Sequence, residues 1–226
     1  MIKQMMNNKF CYENHDWEKI ENSALMTLKE SSLHSFPISI SPLLSENNVA
    51  LRKYSSIARQ RNMSVKELCD NLTTSDGLLL SKVNSKCNDI IAYNDTIASK
   101  PRIRFTLSHE LGHKKLGHNN LASEPLTSLP ENEYVFLEQE ANFFAKNILA
   151  PLPCLYYIEQ QTHRDLTAND IEFIFDVSKT ASNNILNNYQ KLSFPIKDEF
   201  LIYKFQKSLN WWISILNMIH KFNTAI

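Results

Sequence analysis

One stretch constrains this chain more than any other: Arg104-Phe-Thr-Leu-Ser-His109-Glu110-Leu-Gly112-His113-Lys-Lys-Leu-Gly117-His118. Its centre reads His-Glu-x-x-His. On a helix, side chains four apart lie one above the other on the same face. His109 and His113 can therefore aim two imidazoles at one metal ion. Glu110 follows the first of them and can set its carboxylate beside a water that the metal activates. A zinc-dependent peptide hydrolase needs that arrangement. The alternative is a solvated helix that happens to carry these residues. Ile103, Phe105, Leu107, Leu111 and Leu116 argue against it, because they make the helix apolar and leave bare imidazoles in need of partners. Gly112 sits mid-helix at a cost of about 1 kcal/mol relative to Ala. With only three Gly in the chain, that position predicts a close approach by another element. Gly117 fits the residue just past the helix end.

Composition narrows the setting. Hydrophobic residues make up 43% and charged residues 21%, ordinary for a globular protein with one substantial core. The formal net charge is zero, so no global electrostatic case for nucleic acid or an acidic membrane arises. Cys11, Cys69, Cys87 and Cys154 form no C-x-x-C pair and read as reduced, mostly buried thiols. Met1 to Asn14 is polar, with no apolar core of a secretory signal, so the expected compartment is the cytoplasm.

Along the chain, Trp17, Ile20, Ala24, Leu25 and Leu28 recur at helical spacing within 14–32. Phe36-Pro-Ile-Ser-Ile40 reads as short and β-prone. A short apolar segment surrounds Val49 and Leu51. Ser64-Val-Lys-Glu67 is a capping box opening a helix through Leu72, and Thr73 to Gly77 is a turn. Leu78 to Val83 and Ile90 to Tyr93 are β-like, with Asn84 to Asp89 as the turn of a hairpin. That hairpin is either purely structural or offers a strand edge to an extended peptide. After the histidine helix, Asn119 to Glu133 is a polar loop, covering the site or only connecting. A second helix spans about Asn132 to Leu149, with Leu137, Ala141, Phe144, Ala145 and Ile148 facing inward, ended by Pro151 and Pro153.

A catalytic zinc takes three protein ligands, and no third His follows at short spacing. A carboxylate from this second helix is the natural choice. Glu138 and Glu140 each flank the apolar stripe, and periodicity does not decide between them.

Phe105-Thr-Leu-Ser-His-Glu-Leu-Gly-His and Glu140-Ala-Asn-Phe-Phe-Ala-Lys-Asn-Ile-Leu-Ala-Pro151 together resemble the ImmA/IrrE family of intracellular metallopeptidases. Phe36-Pro-Ile and Phe175-Asp-Val-Ser-Lys-Thr-Ala181 resemble further elements of that family, so the likeness spans roughly residues 20 to 193. The resemblance implies an α+β fold: a mainly helical zincin-like metallopeptidase core with a small β-sheet, plus a C-terminal helical segment. It implies Zn2+ as cofactor, with His109, His113 and Glu140 as metal ligands and Glu110 as the catalytic residue. Asn142 becomes a candidate to orient a ligand through its amide. It also implies a protein substrate, a DNA-binding repressor or related regulator, often encoded beside such proteins on mobile elements.

The segment boundaries expected are 14–155 for the metallopeptidase domain, 156–193 for a helix-turn-helix-like subdomain and 194–226 for an apolar C-terminal helix. Thr167 and Ser178 cap the two helices of the middle segment. Direct DNA binding is not expected there: Glu159 to Leu192 holds five acidic residues against three basic ones. In the last segment Phe205, Leu209, Trp212, Leu216 and Ile219 make one stripe, and Trp211, Ile215, Met218 and Phe222 a second. Packing onto the core is the expectation, with a dimer or partner contact as the sharper reading. No run is long enough to span a membrane. His118, just past the helix end, is expected to be solvated, and no residue is assigned to stabilise an oxyanion. The leading expectation is a zinc endopeptidase of narrow specificity. The alternative is a catalytically silent zincin-fold regulator or toxin–antitoxin-type component that acts by binding.

Overall fold

Side-chain caps open several of the helices. The computed structural model describes residues 15–81, 89–120, 126–192 and 197–224. The Asp16 side chain accepts the Lys19 amide and starts α1 (Trp17–Glu30), which buries Ile20, Ala24, Leu25 and Leu28. α2 (Ile40–Glu46) leads into β1 (Val49–Lys53), α3 (Tyr54–Gln60) and α4 (Val65–Leu72). Ser64 and Glu67 close the expected capping box at the start of α4. Next come β2 (Gly77–Leu80), β3 (Asp89–Tyr93) and α5 (Lys100–Leu116), the histidine helix. Pro101 lies in its first turn, where its missing N–H costs nothing, and Gly117 closes it at φ 75°. α6 (Glu131–Leu149), α7 (Leu152–Thr162), α8 (Ala168–Phe175), α9 (Lys179–Gln190) and α10 (Glu199–Thr224) complete the chain. The fold is α+β and mainly helical, with one small sheet and a C-terminal helix.

β2 and β3 pair antiparallel as expected, with Leu79 opposite Ile91; the turn between them and Val83 lie outside the described residues. β1 adds a parallel pairing to β3 that local pattern could not show, giving the order β1-β3-β2. Phe36 to Ile40 is not a strand. Phe36 donates its N–H to Ser208 and accepts from the Trp212 indole, while its ring packs on Phe175 and Phe205. Backbone groups satisfied by α10 side chains need no sheet partner. Pro151 and Pro153 end α6 and also open α7, because proline is tolerated in a first turn.

A single apolar cluster joins α1, α5, α6, α7, α8, α9 and α10. The inward residues of α6, Leu137, Ala141, Phe144, Ala145 and Ile148, are at most 1% exposed. On α10, Phe205, Leu209, Trp212 and Leu216 are buried, whereas Ile219 ends the expected stripe exposed. Its second stripe mostly faces solvent: Trp211, Met218 and Phe222 are exposed. Among the described residues no helix is long and apolar enough to cross a membrane. Arg104 anchors the front of α5. Its guanidinium donates to the carbonyls of Ile38, Phe175 and Asp176 and pairs with the Asp176 carboxylate.

α5 and α6 pack tightly at Gly112. A Cβ there would meet Phe144 Cδ1 at 3.1 Å and the Ala141 backbone at 3.2 Å. Backbone cannot step aside as a side-chain tip can. Gly112→Val is therefore expected to lower stability by about 1–3 kcal/mol through overpacking. Because Ala141 lies one turn from Glu138, the same push should also weaken metal binding. Thermal unfolding of the metal-free protein tests the first effect, and an unchanged midpoint would refute the close-approach argument.

Candidate metal centre

The histidine face of α5 meets α6 on either side of Gly112. His109 Nε2 and His113 Nε2 lie 2.9 Å apart. The two oxygens of Glu138 reach them, at 3.3 Å from His109 and 3.2 Å from His113. Ligand atoms of these residues all fall within 4.8 Å of one another. Glu140, the ligand implied by resemblance, is not in this group. Two residues along a helix is about 200° of rotation, so Glu138 and Glu140 cannot face the same point. Glu140 instead accepts from His118 Nε2 at 3.1 Å and lies 3.4 Å from His15 Nδ1. Asn142, four residues after Glu138, shares its face, and its amide oxygen accepts from His109 Nδ1 at 3.0 Å. The i, i+4 relation between a ligand and its neighbour's orienting group was the available signal for Glu138.

His118 is also placed differently from expectation. It is 1% exposed, in the 3-10 turn that follows α5, with its Nδ1 2.9 Å from His113 Nδ1. The αL turn at Gly117 folds it back under the helix rather than into solvent.

Glu110 is buried beside the cluster. Burial pushes its carboxyl up to about 7, against the pull of His109 and with the added repulsion of Glu138, while the Leu79 N–H donates to it. The Asn94 N–H donates to the Asp76 carbonyl, which fixes the pairing parity of β2 and β3. Leu78 and Leu80 then bond to β3, and the Leu79 backbone points away from it, toward Glu110. β2 is thus a sheet edge whose outward N–H reaches the candidate catalytic carboxyl.

Burial works to raise the Glu138 carboxyl, but hydrogen bonds from both histidines overcome it and hold the group well below the usual carboxylate range. Burial chiefly pushes His113 down to about 4. The same burial opposes protonation of His109, yet Glu138, Glu110 and Asn142 together raise it. Burial also raises the Tyr134 hydroxyl to about 12, helped by the charge of Glu138 and its hydrogen bond to that carboxylate.

The donor set fits a divalent metal. Two imidazole nitrogens and a carboxylate converge, and lone pairs at these separations repel unless a cation lies between them. Zinc bonds of about 2.0–2.2 Å imply tetrahedral ligand edges of about 3.3 Å, close to the observed spacings. The outer imidazole nitrogens are held by Asn142 and His118, as metal-binding histidines require.

Such a fold, with this cluster between two packed helices and a buried glutamate beside it, is that of the zincin-like metallopeptidases. The chain belongs to the ImmA/IrrE family of peptidases: the peptidase M78 family model, described as the IrrE N-terminal-like domain, matches residues 58–185. No curated protein matches the chain. The matched span contains α5, α6 and the whole His109–His113–Glu138 cluster, but neither His15 nor α10.

Proposed function

We propose that the protein is a zinc endopeptidase of narrow specificity that acts in the cytoplasm on a protein partner, a DNA-binding repressor or related regulator. The observation that carries the reading is the buried Glu110 carboxyl set beside the cluster of His109, His113 and Glu138. Bound there, zinc would supply Lewis acidity, polarising the scissile carbonyl and lowering the pKa of a water. Glu110 takes the proton of the attacking water and returns it to the leaving amine. Its raised proton affinity suits a group that must both accept and release a proton near neutrality. Tyr134 keeps Glu138 aimed by donating to it. The outward edge of β2 gives an extended peptide a strand to pair with, next to Glu110. The regulator as substrate rests on the family resemblance alone.

Incubating zinc-loaded protein with the regulator encoded by the adjacent gene tests this. Discrete fragments are expected, suppressed by 1,10-phenanthroline and restored by added zinc. A regulator left intact under all three conditions would rule out this substrate. A second reading draws on the exposed face of α10, where Phe200, Tyr203, Trp211, Met218 and Phe222 offer an apolar contact. On that reading the protein acts by stoichiometric binding, and function survives Glu110→Gln but not removal of α10.

A further inference from the structure

The outer nitrogen of His113 does not end at solvent or at a backbone carbonyl. It faces His118 Nδ1 at 2.9 Å, and His118 Nε2 faces Glu140 Oε2 at 3.1 Å. His113 and His118 are 3% and 1% exposed, so water does not replace either contact. We propose that His118 and Glu140 form a positioning relay that fixes the tautomer and ring orientation of His113 and raises its affinity for the metal. The inference rests on the metal-centre reading above.

Proton bookkeeping dictates the direction of the relay. To bind a metal, His113 must present the lone pair of Nε2, so its single proton sits on Nδ1. That N–H can donate only if His118 offers a lone pair at Nδ1. His118 then carries its own proton on Nε2, where it donates to the Glu140 carboxylate. Each group leaves the next one role. The usual carboxylate–histidine–metal unit is thereby lengthened by one imidazole. Glu140 is itself held: its second oxygen lies 3.4 Å from His15 Nδ1, and the His15 ring stacks between Trp17 and Phe136. His15 Nε2 in turn bonds the Gln139 side chain at 2.9 Å. The relay therefore ends on His15, just before the N-cap of α1 and outside the family match. It also gives Glu140 a use that does not require it to touch the metal.

The test is zinc affinity by chelator competition at one fixed pH, with the d–d spectrum of the cobalt-loaded protein as a report on ligand geometry. His118→Ala and Glu140→Ala are each expected to weaken zinc binding about 10–100-fold and to shift the cobalt spectrum. The double variant should be no weaker than His118→Ala, because the two groups act in series. His118→Gln should recover most of the affinity, since its amide can accept from His113 and donate to Glu140. Wild-type affinity in both alanine variants, or fully additive losses, overturns the relay while leaving the metal centre standing. A wild-type protein that binds no zinc overturns both. Should the variants fail to fold, nitrogen NMR of zinc-loaded wild type decides. The relay predicts a proton on His113 Nδ1, one on His118 Nε2, and a through-hydrogen-bond coupling between the two Nδ1 atoms. A proton on His118 Nδ1 would overturn it.

Discussion

Glu110→Gln is expected to reduce turnover by about 10²–10⁴-fold while leaving one zinc bound per chain. The change is nearly isosteric, so the buried pocket beside β2 stays filled. The amide oxygen can still accept the Leu79 N–H. What is lost is the only group in the described site placed to carry a proton from water to the leaving amine. Burial already penalises charge on Glu110, so an uncharged replacement should not destabilise the metal-free fold. Peptide cleavage, zinc content and thermal unfolding measured together separate the effects. Equal cleavage by wild type and variant would sink the proposed role of Glu110. Lost zinc would show instead that the variant had damaged the centre.

The next largest effect separates two glutamates on the same helix. Glu138→Ala removes a carboxylate that contacts both His109 and His113. It should strip zinc from the protein in a zinc buffer where wild type stays fully loaded. Glu140→Ala removes only the far end of the His118 contact and should keep zinc at a higher occupancy than Glu138→Ala in that buffer. Zinc content after equilibrium dialysis at constant pH measures both. The opposite ranking would return the ligand role to Glu140. Lowering the pH should release zinc from wild type as well, because His109 and His113 must be neutral to bind it.

This exchange of glutamates shows where sequence reading stops. His109 and His113 are legible because one helix fixes their mutual geometry through the i, i+4 rule. The carboxylate that joins them comes from another helix, and which one it is depends on how α6 is rotated against α5. That rotation is set by packing at Gly112, Ala141 and Phe144, a property of the pair rather than of either helix. The apolar stripe of α6 was readable, but it lies between Glu138 and Glu140 and favours neither. In the structure Glu138 is the one that joins the two histidines, and Asn142, on the same face of α6, accepts from His109.

Other elements follow the same division. The capping box at Ser64, the caps at Thr167 and Ser178 and the left-handed Gly117 are local events, and the structure has them as expected. The parallel pairing of β1 with β3 spans α3, α4 and β2, and no local pattern encodes it. Phe36 to Ile40 has the composition of a strand, yet Ser208 and Trp212 of α10 bind the Phe36 backbone. His118 looked like a surface residue because it follows the helix end. Its burial depends on the direction the chain takes after Gly117 and on a carboxylate from α6.

The most direct test of the central claim is a crystal structure of the zinc-loaded protein with anomalous data collected at the zinc edge. One peak is expected, about 2.0–2.2 Å from His109 Nε2, His113 Nε2 and a Glu138 oxygen, with Glu140 still on His118. A zinc bound through Glu140, or seated away from both histidines, would contradict the account.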